Sequence, residues 1–276
     1  MFFVKTNRIF LLFSTLAFPG EKSLDFYVKT PYTAPIMTDL FNETVKDTGY
    51  SAKDIEVLEG LEPVRRRPGM YIGGIDERAY HHLAAEIIDN SMDEAVAGYA
   101  SVITVALMAD GKISVSDNGR GIPVDPHPKY PDKSALEVIT TTLHSGGKFG
   151  GKAYAVSGGL HGVGLSVVNA LSSEMTVEVA RDKKLYRQSY CRGVPLAPVE
   201  CVGAVSNRRG TTVTFMPDTE IFGEVTRFKP ATIFKAVKTK AFLFRGVELR
   251  FSCAPELILE GDPTPTEAVL KYPNGI

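Results

Sequence analysis

Between residues 81 and 98 the chain reads His81-His82-Leu83-Ala84-Ala85-Glu86-Ile87-Ile88-Asp89-Asn90-Ser91-Met92-Asp93-Glu94-Ala95-Val96-Ala97-Gly98. Leu83, Ile87, Ser91 and Ala95, with Ala84, Ile88 and Met92 beside them, recur at helical spacing. The pattern predicts a helix of about five turns with one apolar face. Gly98 stands where a left-handed C-cap is easiest. Glu86, Asn90 and Asp93 fall together on the other side at i, i+4, i+7. On this evidence alone they are the wet face of an amphipathic helix.

The rest of the chain shows both periods. Ser51 before 52–59, with Asp54 and then Gly60, predicts a short capped helix, and 62–67 a second one ending at Pro68. The run Arg65-Arg66-Arg67 reads as a solvated helix end, where cations suit the dipole. Residues 102–107 and 112–117 alternate as strands around the hairpin signal Asp110-Gly111. A polar loop with three prolines over 125–133 precedes Ser134, which caps a helix to residue 143. Residues 145–159 are glycine-rich without apolar periodicity and predict a functional lid. A helix is expected over 162–171, strands over 175–181, 185–191, 211–216 and 247–252, and a helix over 231–244 after Pro230. Helices and strands mixed without strict alternation predict an α+β fold, a two-layer sandwich of a mixed β-sheet with helices on one face.

The first 36 residues differ. Lys5 and Arg8 precede the apolar run 9–18 and Pro19-Gly20, the layout of a secretory signal peptide that is too short to span a bilayer. The competing reading is an extension from an upstream start, with Met37 as the natural beginning. Residues 1–48 are in either case expected to lie outside the packed domain, which runs over 49–276.

Composition narrows the class. The 276 residues are 44% hydrophobic and 23% charged, and 31 Lys plus Arg against 32 Asp plus Glu leave a net charge of −1. No basic footprint for gripping nucleic acid is present. Cys191, Cys201 and Cys253 are odd in number and far apart, so neither a disulfide frame nor a zinc site is indicated and a reducing cytoplasm fits best.

Two glycine-rich stretches follow the long helix: Ser116-Asp117-Asn118-Gly119-Arg120-Gly121-Ile122-Pro123, and Ser157-Gly158-Gly159-Leu160-His161-Gly162-Val163-Gly164. Gly162-Val163-Gly164 at a helix start offers backbone N–H groups to an anion, although alone it serves equally well as a tight turn. Gly146-Gly147-Lys148-Phe149-Gly150-Gly151-Lys152-Ala153 nearly matches a P-loop but fails at Ala153, where a hydroxyl belongs, and follows a helix instead of a strand. A Rossmann fingerprint is excluded by the missing third glycine. Asp117 is acceptor-only and suits an exocyclic amine, or simply forms a turn before Asn118-Gly119.

Taken in order, Glu86-x-x-x-Asn90, Asp117-x-Gly119-x-Gly121, Gly158-Gly159-Leu160-His161-Gly162-Val163-Gly164 and Gly210-Thr211 resemble the ATP-binding (GHKL) domain shared by type II topoisomerases, Hsp90 chaperones, MutL and histidine kinases. Arg66-Arg67-Pro68-Gly69-Met70-Tyr71-Ile72-Gly73, His144-Ser145-Gly146-Gly147-Lys148-Phe149 and Ser166-Val167-Val168-Asn169-Ala170-Leu171 resemble the ATPase subunit of bacterial type II topoisomerases in particular. The resemblance covers residues 50–252, and the wording of 60–67 and 228–251 leans to the topoisomerase IV branch over gyrase.

What this resemblance implies is specific. ATP and Mg²⁺ are the expected ligands. Asp117 takes the adenine amine and Thr211 assists through water. Ile87, Ile122, Pro123 and Ile139 surround the ring. Asn90 holds magnesium, whose preference for hard oxygen donors its amide meets. The backbone of Gly159, Leu160, His161, Gly162, Val163 and Gly164 holds phosphates, with Lys148 and the Tyr154 region in the lid. Glu86 orients and deprotonates the attacking water, a role that phosphoryl transfer to water requires, and His82 either orients it or is equally well a surface histidine. Glu94 and Arg120 pair at the pocket rim, and Arg181 meets coumarin-type inhibitors. Ala155 departs from the basic or polar residue the family often has there.

The implied partners are the A subunit of topoisomerase IV (or of gyrase), DNA through other domains, and a second copy on ATP binding. In that dimer Tyr50 reaches the neighbour's nucleotide and Ile55 packs against the neighbour. No membrane contact is implied. A transducer domain supplying a lysine to the γ-phosphate is expected beyond Ile276. ATP dependence implies a cytoplasmic location, which favours the upstream-start reading of residues 1–36.

Overall fold

The computed structural model describes residues 51–147 and 162–273. Two units are distinguished, 1–55 and 56–276. Of the first, only 51–55 is described. There Ser51 and Asp54 form the expected capping box, but the helix stops after the single 3-10 turn Ala52–Asp54. Ile55 is 60% exposed, and no residue of the turn is buried to sustain a longer helix.

The second unit starts with α1 (Glu62–Arg66) and α2 (Gly69–Ile72), followed by the long helix α3 (Glu77–Val96). The long helix begins four residues before the predicted start because Asp76 caps it, accepting from the N–H of Ala79 at 2.9 Å. Its predicted apolar face is the one buried. Asp93 is a correction to the expected wet face, being only 3% exposed, whereas Glu86 and Asn90 are half-buried.

β1 (Val102–Leu107) and β2 (Ile113–Asp117) form the predicted hairpin through Gly111, whose φ of +87° suits the turn. The proline-bearing loop contains a small hairpin, β3 (Pro126–His127) with β4 (Tyr130–Ser134). α4 (Ala135–Thr141) follows under the predicted Ser134 cap, 3.0 Å from the N–H of Glu137, and α5 (Gly164–Ala170) resumes the description. Then come β5 (Ser172–Arg181), β6 (Lys184–Cys191), β7 (Val194–Pro195), β8 (Glu200–Ala204), β9 (Gly210–Pro217), α6 (Thr219–Phe222), α7 (Pro230–Leu243), β10 (Glu248–Cys253) and β11 (Glu267–Leu270).

Among the described residues the sheet has nine strands, in the order β11-β10-β1-β2-β9-β5-β6-β7, with β8 also on β6. β1 and β10 are parallel and the other pairs antiparallel, so the sheet is mixed as expected. Ile103, Val105, Ile113, Val115, Val177, Val213 and Phe215 face one side and share a core with Leu83, Ile87 and Ile88 of α3 and Val167 and Val168 of α5. The opposite side is polar. There Ser114 bonds Thr214 at 2.8 Å, Thr212 bonds Ser116 at 2.9 Å and Thr176 bonds Ser189 at 3.0 Å. One buried and one wet side is the usual arrangement for antiparallel strands.

The arginine run is a second correction. Arg65 does not end in solvent: it donates 2.8 Å from Nη1 to the carbonyl of Ala170 and 2.8 Å from Nη2 to Asp218. Asp218, with a side chain 1% exposed, also accepts from Arg192 Nε at 2.9 Å. This buried carboxylate joins α1, the C-terminal end of α5 and the start of α6. Arg66, paired with Glu56 at 2.6 Å and Glu62 at 2.9 Å, and Arg67 are exposed, as expected of the run.

Candidate functional site

The inward alternation of β2 runs Ile113, Val115, Asp117. A carboxylate thus takes the last position on a face built for apolar side chains, and it is 8% exposed. The Asp117 Oδ1 accepts from the N–H of Gly119 at 2.8 Å and of Thr211 at 3.3 Å, and its Oδ2 from the Ser91 hydroxyl at 3.3 Å. Burial pushes the Asp117 carboxyl up to about 6, against the pull of those donors and with a further push from Glu94. Ser91, on the face of α3 read only as core, is the participant that sequence reasoning missed.

β9 has to come close to β2 here, and glycine allows it. A Cβ on Gly210 would lie 2.0 Å from the Asp117 carbonyl oxygen. Thr211 next to it is buried, and its hydroxyl accepts from the N–H of Ile122 at 3.2 Å. The Asp117 carboxylate and the loop after β2 are therefore joined through one threonine. Ile122 and Ile139 are half-buried against the core, Pro123 is exposed, and Ile87 is 1% exposed in the core itself.

The rim is built of charge. Glu94 and Arg120 pair as expected, Oε1 to Nη2 at 2.7 Å and Oε2 to Nε at 3.2 Å, and the Arg120 N–H also reaches Oε2 at 3.1 Å. The guanidinium lies over the Tyr99 ring, 3.6 Å from its centroid, which holds the fork in place. Arg181 donates from Nη1 to the carbonyl of Gly121 at 3.0 Å, bringing it to the same rim.

At the other end of α3's polar face, Glu86 lies one turn before Asn90. Its Oε1 is 3.2 Å from His82 Nε2, the pairing expected for an orienting histidine. A Cβ on Gly164 would lie 2.2 Å from Glu86 Oε2, so the carboxylate sits directly against the start of α5. Gly162 has φ +60° where the chain turns into that helix. The structure thus groups Asp117, Thr211, Ile122, Glu94, Arg120 and Arg181 at one end, and Glu86 and Gly164 at the other, with Gly162 and Val163 just before α5 and Asn90 on the long helix between. Tyr50, Lys148, Tyr154, Gly159, Leu160 and His161 lie outside the described residues.

The donor set fits a nucleotide with a magnesium ion. A buried acceptor suits an amine, and no group of three or more His, Cys, Asp or Glu side chains among the described residues forms a metal cage. Asn90 on the polar face of α3 carries a hard amide oxygen, the kind of donor that suits an ion otherwise held by phosphates and water. Among the same residues no helix is long and apolar enough to cross a membrane.

Comparison with known proteins agrees with this geometry. Residues 75–221 match the family model described as "Histidine kinase-, DNA gyrase B-, and HSP90-like ATPase". The B subunit of DNA topoisomerase 4 from Caulobacter vibrioides is 64% identical over 227 residues, covering 82% of this chain and 32% of that protein. The B subunit of DNA gyrase from Thermotoga maritima is 55% identical over 202 residues, covering 73% and 31%. The crystal structure of the 43K ATPase domain of Thermus thermophilus gyrase B in complex with an aminocoumarin superposes with a TM-score of 0.66 at 44% identity, covering 78% of this chain and 52% of that one. The chain spans about a third of the length of the curated relatives it matches.

Proposed function

Since the chain belongs to the family of histidine kinase-, DNA gyrase B- and HSP90-like ATPases, we propose that it is the ATP-binding and ATP-hydrolysing part of a topoisomerase IV B subunit. In the whole protein, nucleotide-driven dimerisation would power DNA strand passage, decatenation and relaxation. The observation that carries this reading is the buried Asp117 carboxylate, with its Ser91, Gly119 and Thr211 donors, at one end of α3's polar face and Glu86 at the other.

In this reading Asp117, already held by Ser91, Gly119 and Thr211, accepts a further hydrogen bond from the adenine amine. Thr211 steadies the base side, and Asn90 offers its amide oxygen to magnesium. When bound, that ion neutralises charge on the phosphate oxygens. The backbone of residues 162–164, with Gly159, Leu160 and His161, holds the phosphates, and Lys148 comes from the lid. Glu86 then takes the proton of a water aimed at the γ-phosphate, and His82 fixes the carboxylate's orientation at 3.2 Å. Tyr50 completes the nucleotide site of the partner copy.

The topoisomerase IV branch is supported over gyrase by the higher identity, 64% against 55%. Its partner is then the A subunit of topoisomerase IV, with DNA held by other parts of the complex, and the setting is cytoplasmic. The alternative of a nucleotide-binding and dimerisation module with negligible turnover is separated by assay. The Glu94–Arg120 rim with Arg181 is also where an aminocoumarin would bind this chain.

The test is Glu86→Ala in the full-length protein. ATP affinity is expected to stay within about threefold, while turnover falls about 10²–10⁴-fold, the usual loss for a general base. Turnover within about twofold of the unsubstituted protein would leave Glu86 as a surface carboxylate. Decatenation without ATP-dependent supercoiling, measured with the topoisomerase IV and the gyrase A subunits in turn, assigns the branch.

A further inference from the structure

α5 packs between α3 and α4, and Asn169 on it is 0% exposed. Its Nδ2 donates 2.9 Å to the carbonyl of Thr140, near the end of α4, where carbonyls have lost their intrahelical donors. That bond fixes which way the amide faces, because turning it over would set Oδ1 against another acceptor. Among the described residues Oδ1 then meets no donor.

A half-satisfied buried amide adds little to a core. One ordinary hydrogen bond is gained, and the oxygen gives up its solvation without recompense. Leucine, of the same branched shape, would fill the place without that cost. The reason for an asparagine therefore lies in what the bond holds in register.

α5 is tied at its C-terminal end, where Arg65 donates to the Ala170 carbonyl at 2.8 Å and the Asp218 N–H to that of Leu171 at 2.8 Å. Asn169 adds a sideways tie to α4. The other end of the same seven-residue helix is Gly164, against the Glu86 carboxylate. A Cβ there has no room, so a small slide or rotation of α5 changes the spacing between Glu86 and the backbone beside it.

We propose that Asn169 is a positioning residue for ATP hydrolysis: its amide locks α5 to α4 and so sets the distance between Glu86 and the start of α5. The proposal rests on the reading of Glu86 as the base. Asn169 makes its hydrogen bond to α4 and not to the adenine end of the site, so its removal leaves the adenine contacts standing and disturbs alignment at the phosphate end. Misplacement of reacting groups by about 1 Å costs on the order of 10²-fold in rate.

The experiment compares Asn169→Leu and Asn169→Asp with the unsubstituted full-length protein by thermal melting, ATP titration and steady-state turnover. Asn169→Leu is expected to melt at an unchanged or higher temperature, to keep KM for ATP within about threefold, and to lose about 10–100-fold in kcat. The carboxyl introduced by Asn169→Asp, when protonated by burial, can still donate to the Thr140 carbonyl. That variant should turn over at acid pH and lose turnover on the alkaline side at pH values where thermal melting shows it still folded, a loss that a merely structural role does not produce. The proposal is overturned if Asn169→Leu keeps full kcat, or if it melts lower with KM and kcat failing together. Absence of ATP binding or turnover in the unsubstituted protein would instead remove the proposed function itself.

Discussion

Asp117 stands where the alternation of β2 calls for a third apolar side chain, and that misfit is its use. A carboxyl raised from 3.8 to about 6 binds a proton more tightly in the folded chain than in the unfolded one, so in the free protein stability falls as pH rises across that interval. A nucleotide that needs the ionised form reverses the preference. ATP affinity is expected to hold above about pH 6 and to fall roughly tenfold per pH unit below it, with a proton released on binding; calorimetric titration in buffers of different ionisation enthalpy checks both. Asp117→Asn should weaken ATP about 10-fold or more with the melting temperature kept, because an amide N–H then faces the adenine amine. Unchanged affinity would refute the adenine assignment. Asp117, Thr211 and the Glu94–Arg120 pair were legible in the sequence because each sits at a fixed place in a motif. Ser91 was not, since its spacing is also that of a core position, and neither was the crowding at Gly164, which involves a residue 78 positions away along the chain (164 minus 86).

At the scale of elements, periodicity found every long helix and strand of the described residues, and the ends were set by side chains that periodicity does not register. α3 starts at Glu77 because Asp76 caps it, outside the apolar repeat. β3, β4, β7, β8 and β11 were missed; all five residues of β8 are exposed, so it carries no alternation to read. Arg65 was misread for a related reason: a helix end suits cations whether or not a carboxylate lies behind it, and Asp218 is 153 residues away. Its two guanidinium partners hold the Asp218 carboxyl below the usual carboxylate range, although burial pushes the other way. The stability it contributes is therefore present above about pH 4 and is lost as pH falls below that. Asp218→Ala should lower stability by about 2–3 kcal/mol at neutral pH, short of the loss for a fully buried pair because both arginines keep some water. Denaturant melts at neutral and acid pH check this, and the deficit should shrink in acid.

For the whole molecule, the fold class followed from the mixture of periods, while the register of the sheet did not, because β1 pairs in parallel with a strand near the end of the chain. The arm before residue 56 bears on assembly. We expect a monomer without nucleotide and a dimer with a non-hydrolysable ATP analogue, and deletion of residues 1–55, which removes Tyr50 and Ile55, should abolish the dimer while leaving ATP affinity to one chain nearly intact. Light scattering showing normal dimers after the deletion would refute the arm's role. One consequence of the strand order concerns the ribosome. Asp117 is complete on its hairpin early in synthesis, but the N–H of Thr211 that holds its carboxylate lies 94 residues downstream. The closing strand β9 must emerge first, and β10 later still must cover the outer edge of β1. Until then the Asp117 carboxylate lacks its Thr211 donor. On the proposed reading of Asp117 as the adenine acceptor, a nascent chain stalled before Pro217 is expected to bind no ATP until β9 has paired with β2.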